Sequence, residues 1–237
     1  TDLLVADPAE GHVDETHVSG VVYLYSGGAE GTLDYQDFDA RVWGDSITSD
    51  SNHNTYEDYL AHPRPTGDQN GDGYADVLVS AGWSYNEETE ESEACERNTY
   101  VIEGPFEGSA DVRSAAVADI WCSVGSGRDA ADMDADGYDD VIVVDTESSA
   151  EAVVIFPGPL EGGYDARSAD IRIYHEPTQE EYQSTFTGFS SVLAPGDLDG
   201  DGWPDLVVSG SQSGFPLKGG AVLLFRGPFF GTRESAC

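Results

Sequence analysis

Basic residues are scarce in this chain. Its 237 residues include 10 lysines and arginines against 46 aspartates and glutamates, which gives a formal net charge of −36 at pH 7, and Lys218 is the only lysine. A polyanion of this size repels phosphate and lacks the basic surface that nucleic acids and anionic membranes require. The composition therefore excludes nucleic acid as a partner. We expect the acidic groups to form a solubilising surface, to hold cations, or to do both.

Long hydrophobic runs are also missing. No segment approaches the roughly 20 consecutive apolar residues that cross a bilayer, so we expect no membrane insertion. The first residues, Thr1 to Ala6, contain no basic leader segment. We expect that any targeting signal has been removed.

Cysteine is limited to Cys95, Cys122 and Cys237. An odd number leaves one thiol over after a single pairing. We expect a disulfide between Cys95 and Cys122, with the partner of Cys237 outside this chain. The alternative is three free thiols, which a peptide map under non-reducing conditions would reveal.

Glycine and proline, by contrast, are abundant, with 28 and 11 residues, and the chain is 39% hydrophobic. It is too apolar for a disordered chain, and its turn residues fit many short strands joined by tight turns. No segment of useful length shows the 3.6-residue apolar period of an amphipathic helix, which argues against a parallel α/β fold. The predicted fold class is therefore all-β.

One nine-residue pattern occurs three times. Its copies, called here the first, second and third loops, are residues 68–76, 132–140 and 197–205, which begin 64 and 65 residues apart. Each has Asp or Asn at positions one, three and five, Gly at six and Asp at nine. Each leads directly into an apolar segment typical of a strand, such as Val141–Val144. This recurrence indicates a repeat architecture.

The segments between the loops repeat as well. A second strand-like segment follows each loop's own strand and ends in Gly-Pro, at Gly104, Gly158 and Gly227, before a more polar third segment. The opening residues match the later part of this unit, and the last unit stops before its third segment. The pattern predicts one region over 1–237 with about fourteen strands, distributed three, four, four and three over units 1–59, 60–121, 122–187 and 188–237.

The residue types of each loop suit a hard cation. Oxygens at positions one, three and five face the inside of a tight turn, glycine at six permits the reversal, and the carbonyl of seven and the aspartate at nine complete the shell. Ca²⁺ prefers such oxygen cages, whereas Mg²⁺ demands an octahedron, and the loops contain no Cys or His for zinc. We predict about three bound Ca²⁺ ions. The second loop is expected to bind most tightly, and the first, with Asn70, more weakly.

Two simpler structures could also contain an Asp-Gly loop. EF-hand loops place a bidentate acid at position twelve and continue into a helix, but position twelve here is Val79, Val143 or Val208. An ordinary Asp-Gly hairpin turn accounts for one copy and not for three in register. Packed carboxylates repel one another unless a divalent ion compensates them. We therefore expect chelation to open the loops and to lower the melting temperature.

The last unit resembles the FG-GAP repeat of integrin α-subunit N-terminal domains and their bacterial relatives. The resemblance rests on Phe189–Val192, the third loop, and the segments 206–209 and 220–225, and it extends over most of the chain. It implies an extracellular or cell-surface β-propeller of four-stranded antiparallel blades, with calcium in the hairpin between the first and second strands of a blade. The ligands it implies are Asp68, Asn70, Asp72, the Tyr74 carbonyl and Asp76; Asp132, Asp134, Asp136, the Tyr138 carbonyl and Asp140; and Asp197, Asp199, Asp201, the Trp203 carbonyl and Asp205.

Propellers of this family usually close with about seven blades, whereas about four units are visible here. Three arrangements are open: the chain is part of a larger propeller, another copy or chain completes the ring, or the ring is stunted. Open blade edges aggregate unless they are capped, which favours the first two.

No catalytic constellation stands out. The histidines, including His12 and His17, match no zinc-protease or triad pattern, and there is no phosphate-binding loop. The predicted function is recognition or adhesion and not catalysis, with a protein or glycan as the ligand. Loop aromatics such as Trp43, Trp83 and Trp121 are candidates to contact it, although packing in the core is the commoner fate of tryptophan. One alternative is a structural part of a secreted or surface fibre. Another is the non-catalytic propeller of a glycan-active enzyme; the catalytic carboxylate pair of such an enzyme is brought together by the fold and cannot be recognised from sequence spacing.

Overall fold

The computed structural model describes residues 2–7, 12–13, 16–28, 31–32, 34, 36–49, 54–57, 60–82, 97–121, 123–145, 152–174, 186–213, 218–229 and 232–234. Over these residues the chain is all-β, as predicted, with nineteen strands in four sheets, one four-residue helix, α1 (Val112–Ala115), and a 3₁₀ turn at Ala166–Ser168. No helix in these ranges has the length and apolarity to span a bilayer. Cys95, Cys122 and Cys237, and with them the predicted disulfide, lie outside the described residues.

Fourteen of these strands form the main antiparallel part of the four sheets, in the predicted distribution of three, four, four and three. The first sheet contains β1 (Leu3–Asp7), β3 (Thr16–Tyr25) and β4 (Ala40–Ser49). The second contains β6 (Leu60–Pro65), β7 (Val77–Gly82), β8 (Arg97–Ile102) and β10 (Ala118–Trp121). The third contains β11 (Ser123–Ala131), β12 (Asp140–Asp145), β13 (Ala152–Phe156) and β15 (Ile171–Tyr174), and the fourth contains β16 (Phe186–Gly196), β17 (Asp205–Ser213) and β18 (Lys218–Phe225).

Five further strands were not anticipated from the repeat. Two of them, β2 (His12–Val13) and β5 (Asn54–Glu57), extend hairpins on β3 and β4. The other three follow the Gly-Pro turns and pair in parallel with the outermost strand of the preceding sheet. They are β9 (Gly108–Asp111) on β4, β14 (Gly162–Asp165) on β10, and β19 (Thr232–Glu234) on β15.

This parallel pairing corrects one expectation. The repeat predicts that the third segments, which begin at Asp111 and Asp165, form an outer strand of their own unit. Asp111 and Asp165 instead end the parallel strands β9 and β14, and the residues after them form short helical turns, α1 and Ala166–Ser168. After the Gly-Pro turn the chain pairs with the edge strand of the preceding sheet. It then passes through the short helical turn and returns to the outer strand of its own sheet, β10 or β15. Neighbouring sheets are therefore hydrogen-bonded to each other as well as packed.

The core lies between successive sheets. Leu78 and Ile120 of the second sheet pack in one cluster with Val141 and Val143 of the third. The opposite face of the third sheet, with Ile142 and Val144, packs in another cluster with Val192, Leu206 and Val208 of the fourth. Both faces of β12 and β13 are buried, and their sequences are accordingly continuous apolar runs that do not alternate with polar residues.

Candidate metal sites

Each loop joins the first strand of a sheet to the second, which is where the family resemblance predicts it. The first loop lies between β6 and β7, the second between β11 and β12, and the third between β16 and β17. No helix follows any of them, so the exclusion of an EF-hand is confirmed. The glycines at position six, Gly73, Gly137 and Gly202, have φ of 90°, 98° and 94°, a left-handed conformation that strains other residues.

The first aspartate organises the interior of each loop. Its Oδ2 accepts a hydrogen bond from the N–H of the glycine at position six, at 2.8 Å for Asp68, 3.0 Å for Asp132 and 2.8 Å for Asp197. Further backbone N–H groups donate to its Oδ1. In the third loop the N–H groups of Gly202 and Gly200 lower the pKa of Asp197. The Asp197 carboxylate is therefore held in its charged form, facing the turn.

The residues at positions five and seven are connected in the same way in all three loops. The N–H of Tyr74, Tyr138 or Trp203 donates to Oδ1 of the aspartate two residues before it, at 2.8, 2.9 and 2.9 Å. These aspartates, Asp72, Asp136 and Asp201, are exposed. The predicted ligands at positions one to seven thus form a closed turn at the end of each sheet.

The aspartate at position nine has a role that the sequence pattern did not predict. Asp76, Asp140 and Asp205 are buried, and their Oδ2 atoms accept from the N–H of position two at 2.7, 2.8 and 2.9 Å. Their Oδ1 atoms accept from the N–H of the Gly-Pro glycine at 2.8, 2.9 and 3.2 Å. Each carboxylate therefore ties the loop to the end of the third strand, and it retains lone pairs with which to bind an ion.

The Gly-Pro glycines are the functional residues that sequence reasoning missed. A Cβ atom on Gly104, Gly158 or Gly227 would lie 2.7, 2.6 or 2.5 Å from the carbonyl oxygen of position eight of the loop. Only glycine fits this close approach. The Gly-Pro recurrence is the available signal, but on its own it predicts only a strand end, because glycine supplies a turn and proline lacks an N–H for the sheet.

Carboxylates converge in two of the three loops. One oxygen from each of Asp132, Asp134 and Asp136 lies within 4.8 Å of the others in the second loop, and the same holds for Asp197, Asp199 and Asp205 in the third. Among the described residues the first loop forms no such group of three acidic side chains. Its Asn70 instead donates from Nδ2 to Asp72 Oδ2 at 3.2 Å. Asp140 and Asp201 lie outside the two converging groups.

The second and third loops differ in how their negative charge is compensated. Burial raises the pKa of Asp140 to about 6, and Asp134 and Asp136 add to the shift. No ion pair within the described part of the chain neutralises the second loop, whereas in the third loop Arg226 Nε lies 3.3 Å from Asp199 Oδ2. Converging carboxylate oxygens are the donor set that Ca²⁺ prefers. The second and third loops therefore fit a calcium ion, and the first fits less well.

The tryptophans proposed as ligand contacts do not lie in loops. Trp43 is in β4, half-buried against the cluster of Val21, Tyr23 and Tyr25, with the Arg41 guanidinium 5.5 Å from its ring centroid. Trp121 is in β10, where its Nε1 donates to Asp119. The expectation of loop aromatics is therefore wrong for these two residues, because both continue strand segments. Trp83 lies outside the described residues.

Comparison with known proteins identifies one repeat. A search of curated proteins found no match for the chain. The family model of the FG-GAP repeat matches residues 189–225, which run from Phe189 in β16 through the third loop to Phe225 at the end of β18. The fourth sheet of this chain is therefore built from an FG-GAP repeat, as its residues predict.

Proposed function

We propose that the chain is a calcium-stabilised recognition module of the β-propeller type. The observation that carries the proposal is the convergence of three carboxylates at the same sheet position in the second and third loops. The FG-GAP match includes the third loop, and such repeats often bind Ca²⁺. The four stacked sheets are consistent with propeller blades, and we assign these blades to residues 1–59, 60–121, 122–187 and 188–237.

The ions would be held by the loop oxygens at positions one, three, five, seven and nine. Ca²⁺ supplies no bond-making chemistry here; it neutralises carboxylates that otherwise repel one another. The chain's own residues do the remaining work, because the first aspartate closes the turn and the ninth ties it to the sheet. Binding would therefore add directly to the folding free energy.

The exposed face of the fourth sheet supports a larger propeller. Val222 and Leu224 of β18 are 72% and 49% exposed, although the residues at the same distance before Gly-Pro in β13, Val153 and Ile155, are fully buried by the fourth sheet. An apolar face of this kind calls for a further sheet. We propose that it is covered by another blade, from a longer polypeptide or from another copy or chain. Sedimentation of wild type and of Leu224→Asp tests whether copies associate through it.

Recognition is the function that this architecture supports best. FG-GAP repeats are typically non-catalytic and extracellular, and we propose a secreted or cell-surface protein that binds a protein or glycan. A structural role in a fibre is the second candidate, favoured by the exposed face of β18 alone. Open-ended assembly through that face would support the fibre, whereas a monomer or an assembly that closes at a fixed number of copies would support the recognition module.

Calcium binding is tested by calorimetric titration of the chelator-treated protein. We expect about three ions per chain, because there are three loops. The matched variants Asp134→Asn and Asp199→Asn each leave an asparagine at position three, as the first loop has in Asn70, and should each weaken one binding event. Absence of calcium binding by the wild type, or an affinity unchanged in both variants, would contradict the proposal.

A further inference from the structure

The first and second loops contact each other through Asp139. This residue lies at position eight of the second loop, and its Oδ2 accepts a hydrogen bond from the N–H of Asp68 at 2.8 Å. Its own N–H donates to the Asp68 carbonyl at 3.2 Å, and its carbonyl accepts from Gln69 Nε2 at 2.8 Å. One residue of the second loop therefore holds the beginning of the first loop through three hydrogen bonds.

The surroundings leave this contact little freedom. Gln69 is only 2% exposed, and its Oε1 has no hydrogen-bond partner within the described part of the chain. A displaced Asp139 would leave the buried Gln69 amide without its bond, which is unfavourable. A Cβ atom on Gly67 would overlap the Asp139 carboxylate, and one on Gly71 would lie 2.9 Å from Cε1 of Tyr138. The two loops are therefore packed as one unit.

The second and third loops cannot make the same contact. Position eight of the third loop is Pro204, which has neither an N–H nor a carboxylate. Position two of the second loop is Met133, which lacks the side-chain amide of Gln69. Ala131 stands where the first loop has Gly67. None of the three hydrogen bonds made by Asp139 has an equivalent between these loops.

We infer that cation binding at the second loop strengthens cation binding at the first, while the third loop binds on its own. The inference rests on the proposed calcium binding. Asp139 lies between the predicted ligands Tyr138 and Asp140, so an ion that orders the second loop also orders Asp139. Asp139 in turn positions Asp68, whose carboxylate organises the first loop. It is a positioning residue, and the coupling is reciprocal.

Site-resolved calcium titration by NMR tests the coupling. The amides of Gly73, Gly137 and Gly202 each donate to the first aspartate of their own loop, so each reports on one loop. Asp134→Asn, which weakens the second loop, should lower the calcium affinity reported by Gly73 about five- to tenfold and leave that reported by Gly202 unchanged. The matched change in the third loop, Asp199→Asn, should leave Gly73 unchanged.

Three substitutions of Asp139 separate its hydrogen bonds from its charge. Asp139→Asn removes the charge but keeps an oxygen that accepts from Asp68, so Asp134→Asn should still weaken the first loop in this background. Asp139→Pro copies the third loop and should abolish the weakening of the first loop by Asp134→Asn. Asp139→Ala removes only the side-chain hydrogen bond and should reduce that weakening; it replaces the proline variant if the latter does not fold.

The possible failures are distinguishable. If none of the three glycine amides responds to calcium in the wild type, the proposed calcium binding is wrong. If all three respond but Asp134→Asn leaves Gly73 unchanged, or weakens Gly73 and Gly202 equally, the coupling is wrong and the calcium binding stands. An effect on Gly73 that persists unchanged in both Asp139→Pro and Asp139→Ala would also overturn the role of Asp139.

Discussion

The third and fourth sheets carry the same repeat unit in different surroundings. In the third sheet β13 is buried along its length, and no ion pair in the described part of the chain compensates the loop. In the fourth sheet β18 exposes Val222 and Leu224, and Arg226 lies beside Asp199. Whether a strand is buried therefore depends on whether a further sheet packs against it. The same loop pattern also has a nearby arginine in one sheet and none among the described residues in the other.

The largest expected effect concerns packing. Ile155→Ala should lower the free energy of unfolding by about 2–4 kcal/mol, because it leaves a cavity between two sheets. In a chain whose β18 face no other blade covers, Leu224→Ala, at the same position of the fourth sheet, should cost less than about 1 kcal/mol because its side chain is half exposed. Urea unfolding of the two variants measures this. Equal losses would mean that the face of β18 is covered in solution.

The buried aspartates at position nine should behave alike in the two sheets. Asp140→Ala and Asp205→Ala each remove the acceptor of two backbone N–H groups. Each should lower the free energy of unfolding by about 2 kcal/mol in the presence of chelator. Asp134→Ala is the control, because among the described residues the Asp134 carboxylate accepts a hydrogen bond only from the N–H of Asp136 in the exposed loop, and it should have a smaller effect without calcium. A ninth-position variant as stable as wild type in chelator would refute this role of the buried aspartates.

The two loops should differ in their response to pH. Asp140, with its pKa raised to about 6, takes up a proton as the pH falls to about 5, so the calcium affinity of the second loop should drop about tenfold from its neutral value. The third loop should lose less, because the pKa of Asp197 is lowered. Titrations followed by the Gly137 and Gly202 amides measure both.

In the metal-free protein, lowering the pH should have a favourable effect on folding stability through Asp140. Its pKa is higher in the folded state than the ordinary value of 3.8, so the folded state binds this proton more readily than the unfolded state. The contribution of Asp140 to stability in chelator therefore increases as the pH falls from about 7 towards 4. Asp140→Asn, which does not titrate, should lose both pH effects; a variant with the wild-type pH profile would assign them to another group.

The smallest expected effect concerns Arg226. Its side chain is largely exposed, so its ion pair with Asp199 is weak. Arg226→Gln should raise the calcium affinity of the third loop about two- to threefold, because a competing positive charge is removed. Arg226→Lys keeps the charge and serves as the control. An unchanged affinity in Arg226→Gln would show that the arginine does not compensate the loop.

Much of the architecture followed from the sequence because its signals are local. The Asp and Gly spacing of residues 132–140 and the apolar run after it predicted the loop and the strand β12, and the fourteen sheet strands are present. The parallel strands β9, β14 and β19 could not be predicted. Each is only three or four residues long, has no periodicity, and pairs with a strand of another unit.

The interior of the site was predicted less completely than its outline. Position nine is predicted to be a ligand because aspartate recurs there, but its bonds to Gly104, Gly158 and Gly227 depend on how the third strand ends. The contact between Asp139 and Asp68 joins residues 71 apart. Nothing in the local sequence distinguishes this aspartate from the exposed acidic residues around it.

Thermal unfolding in calcium and in chelator is the decisive measurement for the proposed metal sites. If the three loops bind Ca²⁺ in the folded state, each ion present at about a hundredfold excess over its dissociation constant adds about 2.7 kcal/mol. The melting temperature in chelator should then be lower by at least several degrees, and Asp134→Asn combined with Asp199→Asn should shrink the difference. A melting temperature that chelator leaves unchanged would mean that the loops do not hold calcium in the folded protein.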